Sequence, residues 1–168
     1  MTATPAFIRI RNYIDGQWVD EPGVRTLPLF NPSDGKQIGE VPLSTAEVST
    51  AAIASCHRAY DEWRLVPAPK RAEIVQGAAR LLQERKEDLA RTMTREMGKV
   101  LTEARGDVQE AIDCGFFAAG EGRRLYGDTT PSELPNKFNM TVRQPVGVCA
   151  FITPWNFPMA IPSWKMMP

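Results

Sequence analysis

The sequence predicts an α/β fold, and three features of the chain lead to that prediction. All 14 prolines lie at or before Pro69 or at and after Pro131, so residues 70–130 contain none, as expected for a block of helices. Short apolar segments around glycine-containing turns near the N-terminus predict β-hairpins. A short apolar run at 146–152, bounded by prolines, predicts a strand buried on both faces.

Two hairpins are predicted before the helices. In the first, a type I′ turn at Asp15 and Gly16 joins two apolar segments. These segments contain Ile8, Ile10, Tyr13 and Ile14 before the turn, and Trp18 and Val19 after it. In the second, strands at 26–30 and 37–41 flank a turn at 31–35, whose Asn-Pro-Ser-Asp-Gly sequence is typical of turns.

Apolar residues at helical spacing predict four helices between Ser44 and Gly127. Ser44 followed three residues later by Glu47 forms a capping box, a common start of a helix. Gly98 is a natural stop for the third helix, because glycine readily adopts the left-handed conformation that ends many helices. The apolar faces of the four helices lie at 48–63, 74–82, 89–97 and 100–126.

The segment after Pro131 changes to the period-two pattern of strands. Phe138, Met140 and Val142 alternate with polar residues, which predicts a half-buried or edge strand at 138–143. The buried strand at 146–152 follows. Because ligands of such sheets gather at the carboxyl ends of the strands, we expect the chemistry to lie directly after Ile152.

The residues after that strand form a loop restricted by two prolines. Pro154 and Pro158 bracket Trp155, Asn156 and Phe157, which limits the backbone conformations on both sides of Asn156. A carboxamide held at a strand end can donate a hydrogen bond to an oxygen that becomes negative during a reaction. The alternative is a structural loop, in which Trp155 is buried and Asn156 bonds to nearby backbone groups. The residues alone leave both interpretations open.

The composition excludes several classes of function. Lys and Arg together number 20, as do Asp and Glu, and this balance argues against a nucleic-acid partner. No apolar run approaches the roughly 18 residues of a membrane span, and no signal-peptide core precedes Arg11, so we predict a cytoplasmic protein without a membrane partner. Three widely spaced cysteines and one histidine predict neither disulfide bonds nor a metal site.

Several motifs resemble those of the NAD(P)-dependent aldehyde dehydrogenase superfamily. The longest match consists of residues 143–148, 152–158 and 164–165. The matching upstream segments are Ile14 to Val19, Asn31-Pro32 with Gly35, Glu96 to Lys99, and Tyr126 to Asp128. The resemblance extends from about Ile8 to the last residue. It implies the N-terminal part of an aldehyde-dehydrogenase-like, Rossmann-type cofactor domain with β-hairpins, a helical block and an oligomerisation strand.

The resemblance implies oxidation of a small-molecule aldehyde, such as a semialdehyde, to a carboxylic acid with NAD or NADP through a cysteine thiohemiacetal. By position in the motif, Asn156 matches the family's catalytic asparagine, which donates to the substrate oxyanion. The cofactor-lining positions match Ile152, Thr153, Pro154 and Trp155. The positions that wall the aldehyde tunnel match Phe157, Ile161 and Trp164. Lys165 matches a buried lysine with a supporting role.

The cysteines do not supply the family's nucleophile. None of Cys56, Cys114 and Cys149 lies in anything like its motif, and Cys149 is expected to act as a small apolar residue inside the buried strand. The chain as given therefore lacks both the nucleophile and the general base of the implied reaction.

The same resemblance divides the chain into three regions. Residues 1–127 would hold the hairpins and the helical block, 128–145 the oligomerisation strand, and 146–168 the first sheet strand and the start of a truncated crossover helix. We expect an N-terminal fragment of an enzyme that forms a homodimer or homotetramer. Two alternatives stay open: a truncated, non-catalytic chain that pairs with full-length subunits through its 138–143 strand, and a related reductase of acyl phosphates or acyl thioesters.

Overall fold

The computed structural model describes residues 7–168, and it opens with two small sheets. Strand β4 (Thr26–Phe30) and strand β5 (Gln37–Pro42) form the predicted second hairpin. Strand β2 (Asn12–Ile14) and strand β3 (Gln17–Val19) form the first. Asp15 and Gly16 between them both have positive φ angles, 54° and 73°, as a type I′ turn requires. Both predicted hairpins are confirmed.

The start of the first predicted hairpin strand belongs to a different sheet. Strand β1 (Ile8–Arg9) does not extend β2 but pairs in parallel with β5. Gly39 of β5 permits this pairing, because a Cβ there would lie 2.3 Å from the Ile8 carbonyl oxygen. The apolar residues before the Asp15-Gly16 turn predict a strand that includes Ile8, but an apolar segment does not specify which strand it pairs with.

Five helices follow the sheets, and the fourth is their centre. They are α1 (Ala46–Trp63), α2 (Ala68–Glu84), α3 (Lys86–Met97), α4 (Leu101–Glu121) and α5 (Ala160–Met166). Helices α2, α3 and α5 all pack against α4. The core between them contains Ala90, Met93, Ala104, Val108 and Ile112, with Met159 against its edge. The helical block is confirmed.

Helix boundaries differ from the prediction at two points. The N-cap of α1 is Thr45, whose hydroxyl oxygen accepts the Val48 amide, whereas the Ser44 hydroxyl donates to Glu21. A tertiary contact thus removes Ser44 from the predicted capping box. Helix α4 ends at Glu121 rather than near Gly127. Gly98 ends α3 in the left-handed conformation, as predicted.

The predicted buried strand at 146–152 is wrong for this structure. These residues adopt no strand pairing, and Val146 and Ile152 are 92% and 93% exposed. Cys149 is likewise exposed. An apolar run becomes a doubly buried strand only when other strands bond to both of its edges and helices cover its faces. Among residues 7–168, no strand lies beside this segment.

The period-two segment before it forms a small exposed hairpin. Strand β6 (Thr129–Thr130) pairs antiparallel with strand β7 (Asn139–Met140). Strand β7 is shorter than the predicted 138–143, and the apolar side chains of Phe138, Met140 and Val142 are exposed.

Among residues 7–168, no helix combines the length and the apolar character needed to cross a bilayer.

Candidate active site

An open groove lies where the α3–α4 junction faces the loop that precedes α5. Its volume is about 530 Å³. One side consists of Met97, Gly98 and Lys99 with the first turns of α4. Trp155, Asn156 and Phe157 form the other side. Residues distant in sequence, including two of the segments that resemble the aldehyde dehydrogenase motifs, thus meet in one place.

A buried ion pair forms the floor of this groove. Lys99 Nζ lies 2.9 Å from Asp107 Oδ2, and the side chains of Lys99 and Asp107 are 10% and 0% exposed. Lys99 reaches this position because the left-handed Gly98 redirects the chain between α3 and α4. A carboxylate buried in a helix core needs a paired cation and further hydrogen bonds, and Asp107 has both.

Each partner of the pair also bonds to the backbone of the loop before α5. The other carboxylate oxygen, Asp107 Oδ1, accepts the amide of Ala160 at 2.8 Å and that of Met159 at 3.3 Å. Lys99 Nζ donates to the main-chain carbonyl of Asn156 at 2.7 Å. Lys99 Nζ also lies 4.2 Å from the centre of the Phe157 ring, a cation–π contact. The loop is therefore bonded at Asn156 to the α3–α4 junction, and at Met159 and Ala160 to α4.

The Asn156 side chain lines the groove without an internal partner. It is exposed, and in the part of the chain that the structure describes its carboxamide makes no hydrogen bond. Trp155 is 79% exposed. The purely structural interpretation expected a buried Trp155 and an Asn156 bonded to main chain, and neither is observed. The carboxamide is therefore exposed at the groove and not engaged by other described residues.

The other predicted site residues are brought only partly together. Trp155 and Phe157 line the groove beside Asn156. Ile152, Thr153 and Pro154 lie in the extended segment before it and are not part of its lining. Ile161 and Trp164 share one side of α5, half-buried and exposed respectively, outside the lining. Lys165, expected to be buried, is exposed.

Sequence reasoning missed the role of Lys99 and Asp107. Lys99 was part of a matching motif, but no function was attached to it. Asp107 offered a physical signal, because it falls on the buried face of α4 between Ala104, Val108 and Ala111. A carboxylate at such a position is almost never left unpaired, so its presence predicts a cation close by.

A second ion-pair network holds α3 and α4 together next to the groove. Arg105 donates from Nε and Nη2 to the two carboxylate oxygens of Glu87, at 2.8 and 2.9 Å, and Arg91 also lies against Glu87. The hydrogen bonds from Arg105 are the main reason why the pKa of Glu87 falls from 4.5 to about 2. This half-exposed network adds a polar contact between α3 and α4 to their apolar packing.

The groove holds no nucleophile of its own. Cys56 and Cys149 are exposed, Cys114 is half-buried on α4, and none of them lines the groove. His57 is exposed next to Cys56 on α1. Within residues 7–168, no three His, Cys, Asp or Glu side chains converge as metal ligands would. What the arrangement offers is a hydrogen-bond donor on a fixed backbone.

The chain resembles known proteins over nearly its whole length. The sequence profile of the aldehyde dehydrogenase family matches residues 18–168. Succinate-semialdehyde dehydrogenase (NADP(+)) of Escherichia coli is 41% identical over 155 residues, which are 92% of this chain and 32% of that protein. Glutarate-semialdehyde dehydrogenase of Pseudomonas aeruginosa is 40% identical over 160 residues, 95% of this chain and 33% of that protein.

Solved structures give the same result for the fold. An NADP-dependent enzyme of E. coli superposes with a TM-score of 0.90 at 40% identity, covering 95% of this chain and 33% of that chain. An aldehyde dehydrogenase of Brucella melitensis superposes with a TM-score of 0.89 at 38% identity, covering 92% of this chain and 32% of that one. The chain spans about a third of the length of these relatives. The α/β architecture matches the N-terminal part of their Rossmann-like domains. The chain belongs to the aldehyde dehydrogenase family.

Proposed function

We propose that this chain contributes the oxyanion-binding part of an NAD(P)-dependent enzyme that oxidises an aldehyde to a carboxylic acid. The observation that supports this most strongly is Asn156, which lines an open groove, has no side-chain hydrogen bond to residues 7–168 and has its main-chain carbonyl bonded to Lys99. The nucleophilic cysteine and the general base come from outside the 168 residues. The full-length enzyme is this chain joined to the part that carries the cysteine and the general base.

The proposed role of Asn156 follows from how charge develops in the reaction. A cysteine thiolate attacks the aldehyde carbon, the C=O π electrons move onto the oxygen, and a thiohemiacetal forms. A donor aimed at that oxygen stabilises the transition state more than the neutral aldehyde, and it therefore raises kcat. A bound nicotinamide supplies the hydride acceptor. Loss of a hydride from the former aldehyde carbon leaves a thioester, which water cleaves to release the acid and the thiol.

The proposed cofactor wall consists of Ile152, Thr153, Pro154 and Trp155. Ile152 and Trp155 present exposed apolar side chains, which suit the flat ring faces of a dinucleotide. The relatives support both forms of the cofactor, since the E. coli dehydrogenase is named for NADP(+) and betaine aldehyde dehydrogenase of Staphylococcus aureus was solved with NAD+. NAD and NADP therefore both remain in the proposal.

The proposed substrate class is a semialdehyde. Succinate-, glutarate- and malonate-semialdehyde dehydrogenases are among the relatives at 39–41% identity. Phe157, Ile161 and Trp164 would form the apolar wall against the substrate chain. Phe157 already lines the groove, whereas Ile161 and Trp164 would need the remaining part of the enzyme to complete the wall.

Assembly and location are also proposed. The exposed apolar side chains beside β6 and β7 support an oligomerisation role for the segment 128–145, and hence a homodimer or homotetramer of the full-length enzyme. Residues 1–127 would then be the hairpin and helical part of the cofactor domain, and 146–168 would begin its main sheet and crossover helix. A cytoplasmic location fits an enzyme of small metabolites.

Asn156→Ala in the full-length enzyme tests the catalytic proposal. We expect kcat to fall by about 10²-fold or more, with little change in the cofactor Kd, because the carboxamide acts on developing charge. Steady-state kinetics on a panel of aldehydes with both cofactors measures this. Gln17→Ala, which removes an exposed carboxamide outside the groove, is the matched control.

Three results would contradict the proposal. An equal loss of cofactor affinity in Asn156→Ala would place the side chain in the cofactor site instead. Turnover of activated acyl donors without turnover of free aldehydes would favour the related reductase. Co-purification of the 168-residue chain with an intact dehydrogenase, without activity in any longer product, would favour the non-catalytic partner.

A further inference from the structure

We propose that Lys99 and Asp107 are positioning residues that set the location of Asn156 through its backbone. The inference rests on the proposed function of Asn156 and adds two residues to it. Both side chains line the groove, but their polar atoms are already bonded to each other and to the backbone before and at the start of α5. Their effect on catalysis would be indirect, through the segment that carries the carboxamide.

The first step of the argument is the fixed location of the ammonium group. Lys99 Nζ is nearly buried and has three neighbours: the Asp107 carboxylate, the Asn156 carbonyl oxygen and the Phe157 ring. An ammonium group donates three hydrogen bonds and carries a compact charge, so these neighbours account for its interactions. Asp107 prevents the ammonium group from turning toward solvent.

The second step is the anchoring of the loop on its other side. Asp107 Oδ1 accepts the amides of Met159 and Ala160, so the start of α5 is fixed to α4 by the same carboxylate that holds Lys99. Asn156 is itself the first attachment point, through its carbonyl, and the second begins three residues later at Met159. With its carbonyl bonded and the following turn fixed, the residue has little freedom to move its Cα.

The third step is the lack of any other restraint on the carboxamide. The Asn156 side chain has no hydrogen bond within the described part of the chain, so among these residues only the backbone restrains where the carboxamide lies. Misplacement of a catalytic group by about 1 Å can reduce a rate by about 10²-fold. Loss of the Lys99–Asp107 pair should therefore lower kcat even though neither residue meets the substrate.

The test is a double-mutant cycle in the full-length enzyme with Lys99→Met and Asn156→Ala. Lys99→Met keeps the unbranched apolar stem of the side chain and removes the ammonium group, and we expect kcat to fall by about 10- to 10²-fold, with the cofactor Kd unchanged. In the Asn156→Ala background, the same substitution should lower kcat by less than about threefold, because no carboxamide remains to misplace. Lys70→Met, which removes an exposed partner of Glu73, is the control.

Lys99→Arg and Asp107→Asn protect the test against loss of folding. Lys99→Arg keeps a cation against Asp107 but changes the donor geometry toward Asn156. Asp107→Asn keeps an oxygen for the α5 amides and removes the charge that holds Lys99. Both variants should fold, as judged by circular dichroism and thermal unfolding. In both, kcat should fall, while KM should change by a smaller factor.

The outcomes separate this inference from the proposed function. If Asn156→Ala leaves kcat unchanged, the catalytic assignment itself fails. If Asn156→Ala lowers kcat but the folded variants at Lys99 and Asp107 do not, only the positioning role fails. Full additivity of Lys99→Met and Asn156→Ala would also overturn it, because it would show that Lys99 acts independently of the carboxamide.

Discussion

The helical block buries its apolar side chains against other parts of the chain, whereas the segment 143–154 leaves its own exposed. The residues of α4 bury their apolar side chains against α2, α3 and α5, all present in the described residues. The segment 143–154 is similarly apolar, yet Val146 and Ile152 are almost fully exposed. Helices satisfy their backbone hydrogen bonds within themselves, whereas a strand needs neighbours. Local sequence was therefore sufficient to predict the helices, but not to predict the structure of the segment 143–154.

The largest expected effect comes from comparing two isoleucines, one in each region. Ile112 of α4 is 1% exposed and Ile152 is 93% exposed. In the 168-residue chain, Ile112→Ala should lower the free energy of unfolding by about 2–5 kcal/mol, because it leaves a cavity in the core. Ile152→Ala should change it by less than about 0.5 kcal/mol. Urea unfolding of both variants measures the difference, and similar losses would mean that 146–152 is packed in solution.

A smaller effect tests the closeness of α2 and α4. A Cβ at Gly115 would lie 2.9 Å from the Ala79 Cβ, so Gly115→Val should destabilise the protein by about 1–3 kcal/mol through overpacking. Gly120 lies on the same helix with nothing near its would-be Cβ. Gly120→Ala should stabilise the helix by about 0.5–1 kcal/mol. In thermal unfolding, Tm should fall for Gly115→Val and rise for Gly120→Ala. A higher Tm for Gly115→Val would refute the close packing.

The smallest effect concerns the Glu87 network beside the groove. Because the folded pKa of Glu87 is lowered from 4.5 to about 2, its contribution to stability is present above pH 4.5 and is lost as pH falls toward 2. Glu87→Gln should therefore be less stable than the parent at pH 7 and equal to it near pH 2. The difference should be small, since the Glu87 side chain is 43% exposed. Denaturant unfolding across this pH range checks it, and a gap that widens in acid would contradict the sign.

What the sequence predicted well depends on short-range interactions. The turn at Asp15 and Gly16 needs only its own backbone angles, and Gly98 ends α3 by its own conformation. Ser44 lost its predicted cap because Glu21, distant in the chain, accepts its hydroxyl. Ile8 joined β5 for a reason equally remote in sequence, namely the close approach that Gly39 allows. A periodicity pattern does not identify partners that are this distant in sequence.

For the candidate site, as for the fold, the sequence predicted local features but not long-range contacts. Pro154 and Pro158 made a fixed Asn156 plausible, and the structure places that residue in a groove, where its side chain bonds to none of residues 7–168. The prolines did not indicate that Lys99 and Asp107 bond to the backbone around it. That information lies in the packing of α4 against α5, which no single segment encodes. Asp107 was the detectable exception, as an acidic residue on an apolar helical face.

The attachment of α5 to α4 through Asp107 separates the two ends of that short helix. Its first turn is fixed by a buried carboxylate, while Ile161 and Trp164 extend from the following residues without taking part in that attachment. Exchange of those two side chains can reshape the outer surface of α5 while leaving its backbone attachment to Asp107 in place. Such a division lets the exposed side of the helix vary in sequence without loosening the buried contact that fixes its start.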